Sequence, residues 1–337
     1  MKVLFHCHVP FSFAHGGMQV QIEQTKAGLE QIGVEVEFFR WWDDRQKGDL
    51  IHFCGIADMG FLQLARAVHM PVVMQPLLTG AANYPDWKLA LRGSVVRAVG
   101  VLPMVRAVSS MIGWTSYGYA DHVVVGLQAE KHVLQTVYAV DPDRISVIPL
   151  GLSDSFLRPG TNNRSADHLI CVGTITRRKN CVTLAKLARA AQVPILFVGK
   201  PYAPEDPHWL EFRQLIDDRW VKHHAHVFRE EDLIQLLRNA RGFVMTSAFE
   251  NWCLAAHEAA ACGLPLLLPD QKWSRERFGS EAHYLDGLGL QKNVPILRRF
   301  YDDSPHLPPP SIKLYSWVDV ARQFEPVYRQ VLSCASH

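Results

Sequence analysis

Lys2-Val-Leu-Phe5, then Gly16-Gly17-Met18-Gln-Val-Gln-Ile22-Glu-Gln-Thr25-Lys-Ala-Gly-Leu29-Glu-Gln-Ile32-Gly33, then Val34-Glu-Val-Glu-Phe38 is the stretch whose reading decides the fold. The first segment is a short apolar run of strand type. In the second, Met18, Ile22, Thr25, Leu29 and Ile32 recur at spacings of four and three, one face of an amphipathic helix. Gly33 stands where a helix C-terminal glycine belongs. In the third, Val34, Val36 and Phe38 alternate with Glu35 and Glu37, the two-residue period of a strand. Strand, glycine loop, helix and strand make a βαβ unit, which implies a parallel sheet.

The same rhythm runs outward along the chain. Asp49-Leu-Ile-His-Phe-Cys54, Pro71-Val-Val-Met74, His122-Val-Val-Val-Gly126 and Ile145-Ser-Val-Ile-Pro149 read as further strands, with a helix over 60–69. The polar stretch Pro159-Gly-Thr-Asn-Asn-Arg-Ser165 reads as a linker. A second series begins at Leu169, with strands over 169–172, 194–198, 242–245 and from 266, and helices over 181–191, 232–240 and 254–262. A last helix is expected over roughly 317–332. The expectation is therefore an α/β chain of two Rossmann-like, doubly wound domains, over 1–163 and 164–315, facing one cleft. In such sheets ligands sit at the carboxyl ends of the strands.

The bulk numbers agree with this and exclude other classes. At 337 residues the chain is longer than one hydrophobic core usually spans. With 35 basic and 33 acidic residues the net charge is +2, which argues against a general nucleic-acid binder. The seven cysteines are scattered without a CxxC pair and read as reduced, mostly buried thiols of a cytoplasmic protein. His6 and His8 interrupt the first apolar run, too short for a signal-peptide core, and no apolar stretch reaches the roughly 20 residues of a spanning helix.

The chemistry is expected in Phe249-Glu250-Asn251-Trp252-Cys253-Leu254-Ala-Ala-His257-Glu258-Ala-Ala-Ala-Cys262-Gly263-Leu264-Pro265, which follows a strand and becomes an alanine-rich helix. The N-terminus of such a helix offers unpaired amides and the positive end of its dipole, a ready site for a diphosphate. Two carboxylates, Glu250 and Glu258, lie eight residues apart, one before the helix and one within it.

This segment resembles the glutamate–seven residues–glutamate motif of the retaining family-4, or group 1, glycosyltransferases of the GT-B fold. Both glutamates and Glu258-Ala-Ala-Ala-Cys-Gly-Leu-Pro265 are kept, while Asn251-Trp252-Cys253 replaces the usual Gly-Phe-Gly. Val172-Gly173-Thr174-Ile-Thr-Arg177-Arg178-Lys179-Asn180 is similar to the family's strand-end glycine loop, and His15-Gly16-Gly17 to its N-domain phosphate loop. Ala120-Asp121-His-Val-Val-Val125 and Asp141-Pro-Asp-Arg-Ile-Ser-Val-Ile-Pro-Leu-Gly151 resemble the interdomain segment, and Tyr315-Ser-Trp317 the element whose last helix, here 316–337, crosses back to the N-domain. The resemblance implies transfer of a glycosyl group from a nucleoside-diphosphate sugar to a hydroxyl of a glycan, lipid-linked or small-molecule acceptor. It further implies retention at the anomeric carbon and no metal or other cofactor. Glu250, Lys179 and Arg178 are the implied catalytic residues; Glu258 is assigned to the ribose, and Gly173, Thr174, Asn251, Trp252, Cys253, Leu254, Gly16 and Gly17 to the rest of the donor. A catalytically weak nucleotide-sugar-binding or assembly subunit is the rival class.

Other features carry plainer readings. No paired-aspartate motif reads as able to hold a divalent ion against a diphosphate, and Lys222-His-His-Ala-His226 fits no zinc spacing and reads as a solvated strand edge. His6 and His8 share one strand face and read as packing. Where the family often has a histidine after an N-domain strand, this chain has Gln75-Pro76-Leu77. From Trp87 to Ala120 there is no acidic residue, while Lys88, Arg92, Arg97 and Arg106 are interspersed with apolar groups. That pattern fits either a helix pair that buries its apolar face and lines an acceptor groove with cations, or a peripheral contact with anionic lipid at the inner face of the membrane.

Overall fold

The computed structural model describes residues 1–7, 11, 16–76, 80–101, 114–161, 163–225, 227, 229–287 and 289–335, with the backbone alone described over 99–101 and at 335. They form two compact units. The first comprises Met1–Ala14, Met18–Gly151 and Tyr315–His337; the second comprises His15–Gly17 and Leu152–Leu314.

The first unit is built on six strands: β1 (Lys2–His6), β2 (Glu35–Phe38), β3 (Leu50–Cys54), β4 (Val72–Gln75), β5 (His122–Val125) and β6 (Ile145–Val147). All pairings are parallel and the order is β2-β1-β3-β4-β5-β6. β3, β4 and β5 are buried along their whole length, which is why they read as continuous apolar runs. The helix Gly17–Gln31 returns from β1 to β2, and its end is set by Gly33 at φ +84°. There the Gly33 amide donates to Glu30 and the Val34 amide to Leu29, the paired bonds that close a helix on a left-handed glycine. Leu4, Ile51, Phe53, Met74 and Val123 from the sheet pack with Leu62, Leu89, Tyr117, Val133 and Leu134 from the covering helices.

The C-terminal helix Trp317–Ala335 belongs to this unit and buries Val320, Ala321, Phe324 and Tyr328. Gly28 permits the approach, since a Cβ there would stand 2.5 Å from the Trp317 carbonyl oxygen. The Tyr328 hydroxyl lies 2.5 Å from His52 Nδ1, and His52 Nε2 lies 3.1 Å from Gln75 Oε1. An amide oxygen only accepts, so Nε2 carries the hydrogen and Nδ1 accepts from Tyr328.

The second unit repeats the plan with β7 (Leu169–Val172), β8 (Ile195–Val198), β9 (Val221–His224), β10 (Phe243–Val244), β11 (Leu266–Pro269) and β12 (His283–Leu285). The order β12-β11-β10-β7-β8-β9 is again wholly parallel. β9 is an edge strand, as read for Lys222 and its histidines; His226 lies outside the described residues.

The structure draws the division at 151/152 rather than at 163/164. The polar stretch read as a linker is fastened to the second unit. Phe156 is buried, Ser153 Oγ donates to Glu230, Arg238 donates to the Arg158 carbonyl, and the Arg164 guanidinium caps the carbonyls of Gly263, Ser304 and Leu307. Among the described residues, no helix is long and apolar enough to cross a membrane.

Candidate active site

In the second sheet β7 and β10 are neighbours, while β8 and β9 lie on one side of them and β11 and β12 on the other. The strand order therefore reverses between β7 and β10, and a doubly wound sheet opens its ligand crevice at the carboxyl ends of such a pair. The loop Gly173–Asn180 leaves β7, and Met245–Cys253 leaves β10. Both motifs singled out in the sequence thus meet at the switch point.

Local backbone explains why they meet closely. Gly173 and Gly199, at the ends of β7 and β8, adopt φ +151° and +150°. A Cβ on Gly199 would run into the Gly173 carbonyl, and one on Gly173 would press the Lys179 stem at 3.4 Å. Asn180, left-handed at φ +57°, turns the loop into the helix Cys181–Ala191. Two bonds tie the loops together: the Ala248 amide donates to the Arg178 carbonyl at 2.8 Å, and Thr246 Oγ1 to the Asn180 carbonyl at 3.1 Å.

Glu250 sits at the centre. Lys179 Nζ lies 2.6 Å from its Oε1 and Arg178 Nη1 2.8 Å from its Oε2. The Glu250 residue is 6% exposed. Burial alone would raise its carboxyl; the Lys179 ammonium, then the Arg178 guanidinium, outweigh that and hold it below the ordinary carboxylate range. For Lys179, burial works against the charge, and Glu250 reverses that, leaving the ammonium more basic than usual. The three residues expected to be catalytic are thus one ion cage, with Arg178 the most open member.

The helix Leu254–Ala261 begins beside the cage, and no side chain caps its first amides. Its N-terminal neighbour Cys253 is left-handed, φ +61°, at the place where the family pattern has glycine. That conformation is the physical reason a glycine suits the position; here a buried thiol fills it, 3.2 Å from the Met245 sulfur. The Trp252 ring is 3% exposed, stacked on His257 at 4.7 Å with the Arg277 guanidinium 4.0 Å from its centroid. His257 donates from Nδ1 to the Cys253 carbonyl, and its Nε2 accepts from Arg277. Burial pushes His257 down to about 3, so the ring is neutral and acts as a strut. The sequence reading gave Arg277 no role; nothing local marks a residue whose importance is its contact with Trp252.

Glu258 is one helical turn and a half further along, half-buried, with no hydrogen-bond partner for its side chain among the described residues. Burial first, then the Glu230 carboxylate, raises it to about 7 against the pull of Lys179. Thr174 and Asn251 are half-buried in the two loops. Gly16, at φ +131°, and Gly17, the first residue of the helix Gly17–Gln31, group with the second unit, and His15 lies outside the described residues. Among the described residues no group of three His, Cys, Asp or Glu could hold a metal ion.

Residues 157–285, which contain the whole of this arrangement apart from the two N-terminal glycines, match the family model for glycosyl transferases group 1. Over this segment the chain is similar to the group 1 glycosyltransferases. The match, with relatives that are named glycosyltransferases, supports a nucleotide-sugar-dependent transferase. It is similar to the MMP alpha-(1->4)-mannosyltransferase of Mycolicibacterium hassiacum, 24% identical over 299 residues that span 82% of this chain and 67% of that protein. Among solved structures, sucrose-phosphate synthase from Thermosynechococcus elongatus superposes with a TM-score of 0.74 at 18% identity, over 99% of both chains. Anabaena HepE, solved in complex with UDP-glucose, superposes with a TM-score of 0.62 at 16% identity, over 100% of this chain and 98% of that one. These are GT-B glycosyltransferases, and the two parallel six-stranded sheets described above are that fold.

Within this family's pattern, the departure at Gln75 has a structural account. Its side chain is 6% exposed and holds the hydrogen of buried His52, so the residue at the end of β4 is committed to the packing of the C-terminal helix.

Proposed function

We propose that this glycosyltransferase retains the anomeric configuration and needs no metal, with the Lys179–Arg178–Glu250 cage as its chemical centre. The observation that carries the reading is the convergence of two cations on one buried carboxylate at the switch point of the second sheet. Lys179 and Arg178 take the donor diphosphate, joined by the uncapped amides at Leu254. Negative charge that develops on the departing nucleoside diphosphate then meets fixed positive charge, the work a divalent ion would otherwise do. Glu250, with both oxygens held by cations, is a poor nucleophile and a rigid acceptor for sugar hydroxyls. The acceptor hydroxyl attacks from the face on which the phosphate leaves, and its proton passes to the departing phosphate oxygen. Glu258 receives the ribose hydroxyls. Glycan, lipid-linked and small-molecule hydroxyls are the acceptor classes, and the site of action is the cytoplasm or the inner face of the membrane.

Transfer assayed in excess EDTA, with the anomeric configuration of the product read by proton NMR, tests both parts. Retention at an undiminished rate is expected. Loss of turnover restored by magnesium or manganese, or an inverted product, overturns the proposal.

A further inference from the structure

One face of the helix Asp86–Val101 presents large apolar side chains to solvent. Leu89 is wholly buried, and Gly93 lies so close to the helix Gln128–Tyr138 that a Cβ would strike the Thr136 carbonyl. On the other side Trp87, Leu91 and Val95, each one turn from the next, are 69%, 60% and 48% exposed. Ala90, Ser94 and Ala98 are also exposed and fill the ridge between them. Single exposed apolar residues need no explanation, but a continuous ridge of them on one helix does. The helix buries Leu89 and packs Val96 against the core with one face and leaves this ridge on the other.

Charge says what covers the ridge. Exposed Lys88 and Arg97 border it, Lys88 with its ammonium 4.0 Å from the Tyr84 ring centroid and Arg97 donating to the Thr136 carbonyl, while half-buried Arg92 is bonded to the Tyr138 phenol. The only acid of the helix, Asp86, lies at its start, 3.6 Å from His132. No other aspartate or glutamate occurs up to Ala120 in the sequence; 102–113 lie outside the described residues. We propose that this face docks on an anionic lipid bilayer, with Trp87, Leu91 and Val95 entering the headgroup–acyl boundary and the exposed cations at its border, Lys88 and Arg97, meeting lipid phosphates. Amphipathic helices that lie in the interface combine these two features. A second copy of the chain would bring like charges together across a two-fold axis, so self-association is disfavoured. The surface belongs to the first unit and the Glu250 cage to the second, and the inference does not rest on the donor chemistry.

Flotation of the full chain with vesicles of phosphatidylglycerol and phosphatidylcholine, against pure phosphatidylcholine, tests this. The protein should float with the anionic vesicles only, and less at about 0.5 M than at about 0.05 M salt. Trp87→Gln with Leu91→Gln and Val95→Gln should lower partitioning by about tenfold or more, and Lys88→Glu by about fivefold. Glutamine keeps helix propensity at these exposed positions, and an unchanged melting midpoint and nucleotide-induced thermal shift will show the variants folded. No flotation at low salt, equal binding to neutral vesicles, or equal flotation of the triple variant overturns the proposal. So does light scattering that finds a dimer in the wild type and a monomer in the triple variant.

Discussion

Lys179→Met removes the ammonium 2.6 Å from Glu250 Oε1 and leaves a 6% exposed carboxylate with one cation in place of two. Removing one partner of a buried ion pair costs about 3–5 kcal/mol, and Arg178, still 2.8 Å from the other oxygen, puts this case at the low end, about 3 kcal/mol. In a unit of this size that lowers the melting midpoint by about 6–12 °C. Glu250→Gln costs less, about 1–2 kcal/mol, because the stranded cations are nearer to water than the carboxylate was. The double variant should be more stable than the sum of the singles predicts, by about 1–3 kcal/mol. Binding separates the same residues differently. In the unliganded protein Glu250 occupies both cations, so Glu250→Gln frees them and nucleoside-diphosphate affinity holds or rises while turnover falls. Lys179→Met should weaken that affinity by about tenfold or more. The carboxyl is held below 4.5, its ordinary value, so its stabilisation is fully present above that pH and is lost as pH falls through the lower folded-state value. Wild type should therefore lose its advantage over Glu250→Gln below about pH 4.5. Chemical denaturation across pH and titration calorimetry measure all of this. Additive single effects, or a nucleotide defect in Glu250→Gln as large as that in Lys179→Met, would refute the idea that the carboxylate organises the cations.

Three other outcomes follow from neighbouring geometry. Glu258 is raised to about 7, so the folded state is penalised for ionising it: the penalty is absent below about pH 4.5, grows as pH rises and levels off above about pH 7. Thermal melts should find Glu258→Gln gaining on wild type between those limits, and wild-type nucleotide affinity should rise through pH 7 as the carboxylate forms, with a flat profile in the variant; parallel profiles would count against the ribose assignment. Cys253→Gly relieves a left-handed residue worth about 1 kcal/mol but loses a buried thiol and adds chain entropy, so its midpoint should stay near wild type, whereas Cys253→Val should cost about 2 kcal/mol or more. Tyr328→Phe strands buried His52 Nδ1 and should cost about 1–3 kcal/mol by denaturant titration; a cost below about 0.5 kcal/mol would mean that the bond contributes nothing net.

Where a signal is local, the sequence was legible. β1, β7, β8 and β11 coincide within a residue or two with apolar runs closed by glycine, proline or a polar turn, because a strand buried on both faces has nothing polar to interrupt it. The helix Leu254–Ala261 and its glycine end were equally plain. The helix Pro207–Leu215, the helix Lys272–Phe278 and the edge strand His283–Leu285 were not read. Lys272–Phe278 holds its place through buried Trp273 and Phe278, contacts that no seven-residue pattern announces.

By itself, then, the sequence determined two parallel α/β units and the loops that carry charge to the strand ends, since periodicity, helix ends and the Glu250/Glu258 spacing are properties of short segments. Only the tertiary structure decided that residues 152–163 join the second unit, that Arg277 braces Trp252, that Gln75 serves His52 and Tyr328, and that Lys179 and Arg178 close on the two oxygens of one carboxylate. Those pairings join residues 23 to 276 positions apart, and they form only when the fold brings distant segments within the few ångströms over which a hydrogen bond or an ion pair acts.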